Sequence, residues 1–329
     1  MTRLSNPPVG DGTPRPGRIV SSHGRRVVLE DEAGRRHACQ LFGRRLQAVC
    51  GDHVQWTPAS AEGAGGLVRS VEPRRSQLAR TSLHGEAEVI VANLDQIVAV
   101  VAPLPAPDFG LCDRYLAAAE WAGLAAAVVM NKADLAEAAD PALVAELEVY
   151  QDLGYAAVTS SKRLPGGVDD LRTVLGDRVS VLVGQSGVGK SSLLNQLVPG
   201  VEATVREISR ATEEGRHTTT ASALYHLPDG GDLMDSPGVR DFAPPLPAPR
   251  DVATGFREIV AASQGCRFPD CRHVGEPGCA VERMAADGRI WKRRLSSYRQ
   301  LYRLACDFEE RRRTGARPAA SRRGKRLRK

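Results

Sequence analysis

Residues 184–192 of this 329-residue chain read Gly-Gln-Ser-Gly-Val-Gly-Lys-Ser-Ser. Gly184, Gly189, Lys190 and Ser191 meet the spacing G-x-x-x-x-G-K-S. Gln185, Ser186, Gly187 and Val188 fill the loop, and Ser192 follows it. Chemistry sets this spacing. Glycines let backbone N–H groups turn toward one chain of phosphates, and a helix start adds a favourable dipole. The lysine reaches β- and γ-phosphate oxygens, and the next hydroxyl ligates Mg²⁺. An apolar β-branched run at 179–183 precedes the loop and a helical pattern at 193–198 follows it. An ordinary glycine turn has no need of that strand–loop–helix context. The stretch predicts a nucleoside triphosphate site.

Asn131, Lys132, Ala133 and Asp134 stand at the end of a predicted strand. A carboxylate there accepts hydrogen bonds from guanine N1–H and the exocyclic N2 amine, a donor pair that adenine lacks. Asp134 therefore selects GTP or GDP, with Lys132 packed beside the base. Ser160 or Ser161, with Lys162, supports the base from the other side. Asp235 and Gly238 belong to Asp-Ser-Pro-Gly at another strand end. That pattern suits Mg²⁺, shared with Ser191, and places a glycine N–H near the γ-phosphate. Val239 follows, and an apolar side chain cannot orient a water. The nearest group for that task is His217 in Gly-Arg-His-Thr-Thr-Thr at 215–220, where one of Thr218, Thr219 and Thr220 is placed to reach Mg²⁺.

These motifs occur in the order base loop, phosphate loop, threonine loop, Asp-Ser-Pro-Gly. An ordinary small GTPase begins with the phosphate loop, so this order is a circular permutation, which compact domains with adjacent ends tolerate. One consequence is that the Asp235 segment runs almost directly into the C-terminal part, so loss of the γ-phosphate is placed to move it.

Cys266, Cys271, His273 and Cys279 fall within fourteen residues. Three thiolates and an imidazole suit one closed, structural Zn²⁺ site. The chain has 7 cysteines in all. An odd number without a secretory leader argues against a disulfide framework.

The elements that must position these groups follow from pattern and charge. Residues 1–80 hold 13 Lys/Arg against 7 Asp/Glu, and residues 81–265 hold 13 against 25. Residues 266–310 hold 9 against 7, and residues 311–329 hold 10 against none. Basic ends around an acidic centre point to a polyanion such as RNA. No apolar run is long enough to span a membrane, and the first residues lack the core of a signal peptide, so a cytoplasmic location is expected.

Residues 1–16 read as a disordered extension. Five short strands between 17 and 80, separated by turn residues, predict a small β-barrel of the OB type, which commonly binds single-stranded nucleic acid; an SH3-like barrel gives the same pattern. Strands alternate with helices from 81 to 245, which predicts a mostly parallel α/β sheet. The run at 89–92 is read as part of that region. Residues 250–310 form a mainly helical zinc-binding domain, and 311–329 a basic tail.

Taken together, the permuted order, the N-terminal barrel and the motifs at 184–192, 215–220, 235–238 and 266–279 resemble the RsgA (YjeQ) family of small ribosomal subunit biogenesis GTPases. The resemblance covers roughly residues 17–310. It implies a GTP hydrolase acting on acid anhydrides, stimulated by the small (30S) ribosomal subunit late in its maturation. It also implies contact with 16S rRNA through the barrel and zinc domain. His217 falls on the histidine proposed as catalytic, and Cys266, Cys271, His273 and Cys279 fall on the zinc ligands. A monomer is expected. A GTP-dependent RNA-binding module that does not hydrolyse is the alternative from another class.

Overall fold

The structure, a computed structural model, describes residues 12–59, 65–81, 87–136, 142–201, 222–236 and 244–314. The chain divides into two compact units, Met1–Pro245 and Leu246–Lys329.

In the first unit, β1 (Arg15–His23), β2 (Arg26–Glu30), β3 (Arg36–Leu41), β4 (His53–Pro58) and β5 (Gly66–Val71) form a barrel. Its order is β1-β2-β3-β5-β4, closed by β4 pairing with β1. The β3–β5 pair is parallel and the others are antiparallel. This five-stranded closure is the OB arrangement and separates it from the SH3-like alternative. Alternation along the strands sends Ile19, Val27, Leu29, Val54, Trp56 and Val68 into one core. Strand β1 begins at Arg15 and pairs Arg15–Arg18 with His53–Trp56. The last two residues of the segment read as an extension therefore belong to the barrel, because their backbone groups complete the closure.

A hairpin of β6 (Gln77–Thr81) and β7 (Ala87–Ala92) follows. The run at 89–92 thus pairs outside the main sheet. The central layer is β8 (Gln96–Val101), β9 (Ala125–Asn131), β10 (Ala156–Ser160), β11 (Val179–Val183), β12 (Ser222–His226) and β13 (Asp232–Asp235). Their order is β10-β9-β8-β11-β13-β12, parallel except for β12. Every residue of β8 is buried, as a central strand covered on both faces requires. Helices α1 (Phe109–Ala122), α2 (Ala133–Ala136), α3 (Ala142–Asp152), α4 (Asp169–Leu175) and α5 (Lys190–Leu197) connect the strands. Asp108 caps α1 by accepting from the Leu111 N–H at 2.9 Å, and Gly123 ends it in the left-handed conformation.

The barrel and the central layer are one continuous sheet. β12 pairs with β1 through Ser21↔Ala223 and Ser22↔Ser222. Asn93 reinforces the junction, its Nδ2 donating to the Gly51 carbonyl at 2.9 Å.

The second unit opens with a 3₁₀ turn at Pro249–Gly255, then α6 (Arg257–Ser263), α7 (Ala280–Ala286) and the long α8 (Lys292–Thr314). Phe256, Ile259, Val281, Tyr298 and Leu301 are buried in it. The Phe256 and Tyr298 rings meet edge to face at 5.6 Å. Among the described residues, no helix is long and apolar enough to cross a membrane.

Candidate functional site

The phosphate loop joins the buried strand β11 to α5, whose first residue is Lys190. Two glycines are fixed by close approach. A Cβ on Gly184 would lie 2.2 Å from the Val100 carbonyl oxygen, and one on Gly189 would lie 2.3 Å from Asn131 Nδ2. Both also have positive φ, +145° and +100°, which side chains other than glycine rarely adopt. The curled loop turns back on Lys190, whose Nζ donates to the carbonyls of Gly184 at 2.6 Å and Gln185 at 2.9 Å. Such a cradle fits a phosphate chain.

The base loop is wired to this cradle by two side chains. Asn131, buried at the end of β9, donates from Nδ2 to the Val188 carbonyl at 2.8 Å and accepts from Ser160 Oγ at 3.1 Å. Lys132 has φ of 60°. Its Nζ donates to Gly187 O at 2.8 Å and Leu104 O at 2.6 Å. Adjacent β9 and β10 ends thus fix the loop from both sides, in register Ser160↔Asn131.

Asp134 lies in the first turn of α2 beside Ala133. Ser161 Oγ donates to its Oδ1 at 2.5 Å, and Arg163 Nη1 approaches its Oδ2 at 3.4 Å. The Ser161 hydrogen bond, helped by Arg163, holds this carboxyl below its ordinary range. The ionised carboxylate is thereby stabilised as a hydrogen-bond acceptor. Asn131, Lys132, Asp134, Lys162, Arg163 and Ser192 are among the residues that line one cavity of about 240 Å³. Of the two serines, Ser161 meets Asp134 and Ser160 meets Asn131. Sequence reasoning missed Arg163. Its position after Ser161 and Lys162 was visible, but an exposed arginine in a loop carries no signal of its own.

Ser191, Lys190 and Asp235 line a second, smaller cavity together. A hydroxyl and a carboxylate beside the lysine make an oxygen donor set compatible with Mg²⁺. His217, Thr218, Thr219, Gly238 and Val239 lie outside the described residues, as do most of the extension and of the basic tail.

In the second unit the ligand atoms of Cys266, Cys271, His273 and Cys279 all lie within 4.8 Å of one another. His273 Nδ1 is 3.7 Å from Cys266 Sγ and 3.5 Å from Cys279 Sγ. A tetrahedral zinc with about 2.3 Å Zn–S and about 2.0 Å Zn–N bonds demands S···N edges of roughly 3.5 Å. The cluster therefore fits the ion, with Nδ1 as the histidine ligand. A surrounding shell holds it in shape. Arg299 Nε donates to the His273 carbonyl at 3.0 Å, and Tyr298 Oη donates to the Arg272 carbonyl at 2.7 Å. Glu276 accepts from the Arg272 and Val274 N–H groups at 2.7 and 2.8 Å. Burial favours the neutral imidazole of His273, pulling its pKa below the usual value.

Known proteins resemble this chain in sequence and fold. A family profile described as RsgA GTPase matches residues 71–244. The small ribosomal subunit biogenesis GTPase RsgA of Azotobacter vinelandii is 44% identical over 295 residues, covering 88% of this chain and 85% of that one. The protein of the same name from Pseudomonas aeruginosa is 43% identical over 291 residues, with the same coverage of 88% and 85%. The crystal structure of YjeQ from Thermotoga maritima matches with TM-score 0.70 and 29% identity, over 89% of this chain and 99% of that one. That of YloQ, described as a circularly permuted GTPase, matches in fold with TM-score 0.68 and 24% identity, over 90% and 96%. The base loop before the phosphate loop, the barrel continuous with the central sheet and the Cys/His cluster now have one explanation: the chain belongs to the RsgA GTPase family.

Proposed function

We propose that this GTPase acts in late maturation of the small ribosomal subunit, binding its 16S rRNA and hydrolysing GTP to GDP and phosphate when the subunit engages it. The names of its relatives supply the subunit. The observation that carries the chemistry is the wiring of Asp134 to the phosphate loop through Asn131 and Lys132, which supports one guanine nucleotide lying across both.

In this reading the N–H groups of residues 184–189 and the Lys190 ammonium bind the phosphates. Asp134, oriented by Ser161, accepts from guanine, while Lys132 and Lys162 flank the base. Ser191 and Asp235 would hold Mg²⁺, which screens phosphate charge when bound. His217 orients the attacking water, one of Thr218, Thr219 and Thr220 completes the metal shell, and the Gly238 N–H meets the γ-phosphate. One Zn²⁺ on Cys266, Cys271, His273 and Cys279 stabilises the C-terminal unit. The domains run 15–80 for the barrel, 81–245 for the GTPase domain and 250–310 for the zinc domain. The protein works as a cytoplasmic monomer.

GTP turnover measured alone, with isolated small subunits and with large subunits tests the reading. Slow turnover alone and a large rise with small subunits only are expected. Equal rates in all three would refute the ribosomal assignment, and no hydrolysis under any condition would leave a GTP-dependent binding module.

A further inference from the structure

The barrel treats its arginines in two ways. Arg18, Arg35, Arg36 and Arg74 pair with carboxylates: Asp232 at 2.5 Å, Asp31 at 3.1 Å, Glu30 at 3.7 Å and Asp52 at 2.7 Å. Around the end of β3 the pattern reverses. Arg44 and Arg45 are exposed and have no acidic partner among the described residues. Arg25 donates to the carbonyls of Leu41 and Gly43 rather than to an acid. Arg69 donates from Nε to Thr57 Oγ1 at 3.0 Å, and its guanidinium lies 4.8 Å from the centre of the Phe42 ring. Arg69 thus lies against one exposed aromatic ring, Arg25 holds the backbone on either side of it, and Arg44 and Arg45 follow it in the chain, all four without a carboxylate partner among the described residues.

Phe42 is held there deliberately. Its N–H donates to the Val68 carbonyl at 2.9 Å, and Arg25 ties down the residues on either side. Even with Arg69 against its ring, Phe42 remains 44% exposed. An apolar ring left in water beside uncompensated positive charge suits neither a folding core nor a protein partner with an ordinary polar rim. It does suit a nucleotide, whose base stacks on an aromatic face while its phosphates meet arginine.

We propose that Phe42, with Arg69, is a stacking platform for an unpaired base, and that Arg25, Arg44 and Arg45 grip the flanking phosphates of single-stranded RNA. This rests on the proposed ribosomal function only for the identity of the RNA. Duplex RNA keeps its bases stacked on one another, so it offers phosphates to the arginines but no free face to Phe42.

The test uses the full chain and fluorescein-labelled oligouridylate and oligoadenylate of about ten nucleotides, within the usual reach of one OB barrel. A blunt duplex of the same length is the comparison. Anisotropy should show that Phe42→Leu weakens single-strand binding by about tenfold, while Phe42→Trp retains it and loses indole fluorescence when RNA is added. Arg44→Gln and Arg45→Gln should each lower the salt slope of single-strand binding by about 0.7. Melting temperature and unstimulated GTP turnover should match the wild type in every variant, which separates a lost platform from a lost fold. Unchanged affinity in Phe42→Leu, or equal loss in Phe42→Leu and Phe42→Trp, would overturn the platform, as would tighter binding to the duplex. Small-subunit stimulation of wild-type turnover reads the ribosomal assignment separately, because oligonucleotide binding does not depend on it.

Discussion

Ser222 Oγ donates to Ser236 Oγ across 2.7 Å, and both residues are buried. Ser222 is the first residue of β12, directly after the segment that carries Thr218 and Thr219. Ser236 directly follows Asp235, the last residue of β13. One hydroxyl pair therefore ties together the roots of both segments assigned to γ-phosphate sensing. The next rung along is Ala223↔Asp235, so the pair sits directly beside the residue that lines a cavity with Lys190 and Ser191.

Removing one hydroxyl strands the other in a buried place. Ser222→Ala and Ser236→Ala should each cost about 1–2 kcal/mol, whereas the double variant should cost less than the sum. Urea unfolding of the three variants measures this. Strict additivity would show that the two hydroxyls do not depend on each other.

Asp134 offers two acceptors, matching the N1–H and N2 amine of guanine. Asp134→Asn presents one acceptor and one donor, which matches xanthine, whose second group is a carbonyl. Ser161 can still donate to the amide oxygen, so the loop is kept. GDP affinity should fall on the order of a hundredfold, from the loss of charge-assisted hydrogen bonds, and XDP should become the preferred ligand. Competition against a fluorescent nucleotide checks it. An unchanged preference for GDP would remove Asp134 from base reading.

His217→Ala should lower small-subunit-stimulated turnover by at least about a hundredfold, the usual range for a group positioning water or a proton. GTP affinity should stay near the wild-type value, since the proposed phosphate contacts come from residues 184–191. If affinity falls in step with turnover, His217 supports the loop instead of the water.

Much of this site was legible because phosphate chemistry demands residue types at fixed spacing. Gly184, Gly189 and Lys190 cannot be exchanged for other residues without losing the cradle, so they leave a pattern. The barrel strands were legible from alternation and turn residues. Partnership was not. The run at 89–92 is apolar enough for either sheet, and only pairing with Gln77–Thr81 assigns it to a hairpin. The joint between β1 and β12 is made by backbone hydrogen bonds between residues some two hundred positions apart, which select no side-chain type. Arg163 and the Ser222–Ser236 pair were hidden for the same reason, since their meaning lies in what folds against them. Asp108 is legible as an N-cap, and it starts α1 at Phe109.

The second unit has a small core, and its Cys/His cluster closes the chain between α6 and α7. Zinc should therefore act as folding energy there. Metal analysis should find one zinc per chain, and Cys279→Ser or a strong chelator should unfold this unit while nucleotide binding by the first unit persists. Hydrogen exchange resolved by segment distinguishes the two. Full protection of residues 257–301 after complete zinc removal would show that the protein core alone suffices.

His226 on β12 lies between two carboxylates, its Nδ1 2.6 Å from Asp232 Oδ1 and its Nε2 2.9 Å from Glu30 Oε1. Asp232 also accepts from Arg18 Nη1 at 2.5 Å, so one network spans β1, β2, β12 and β13. The hydrogen bond to Asp232, opposed by partial burial and reinforced by Glu30, raises the His226 pKa from 6.5 to about 9. A raised folded-state value means that the cation stabilises the fold. That contribution is complete below about pH 6.5 and disappears as pH rises through about 9. The imidazole is half exposed, so solvent screening keeps the effect modest. Urea midpoints should decline between these limits in the wild type, and His226→Gln should flatten that decline while lowering stability at pH 6. A decline of the same size in His226→Gln would assign it to other groups and leave this network without a role in holding the barrel to the central sheet.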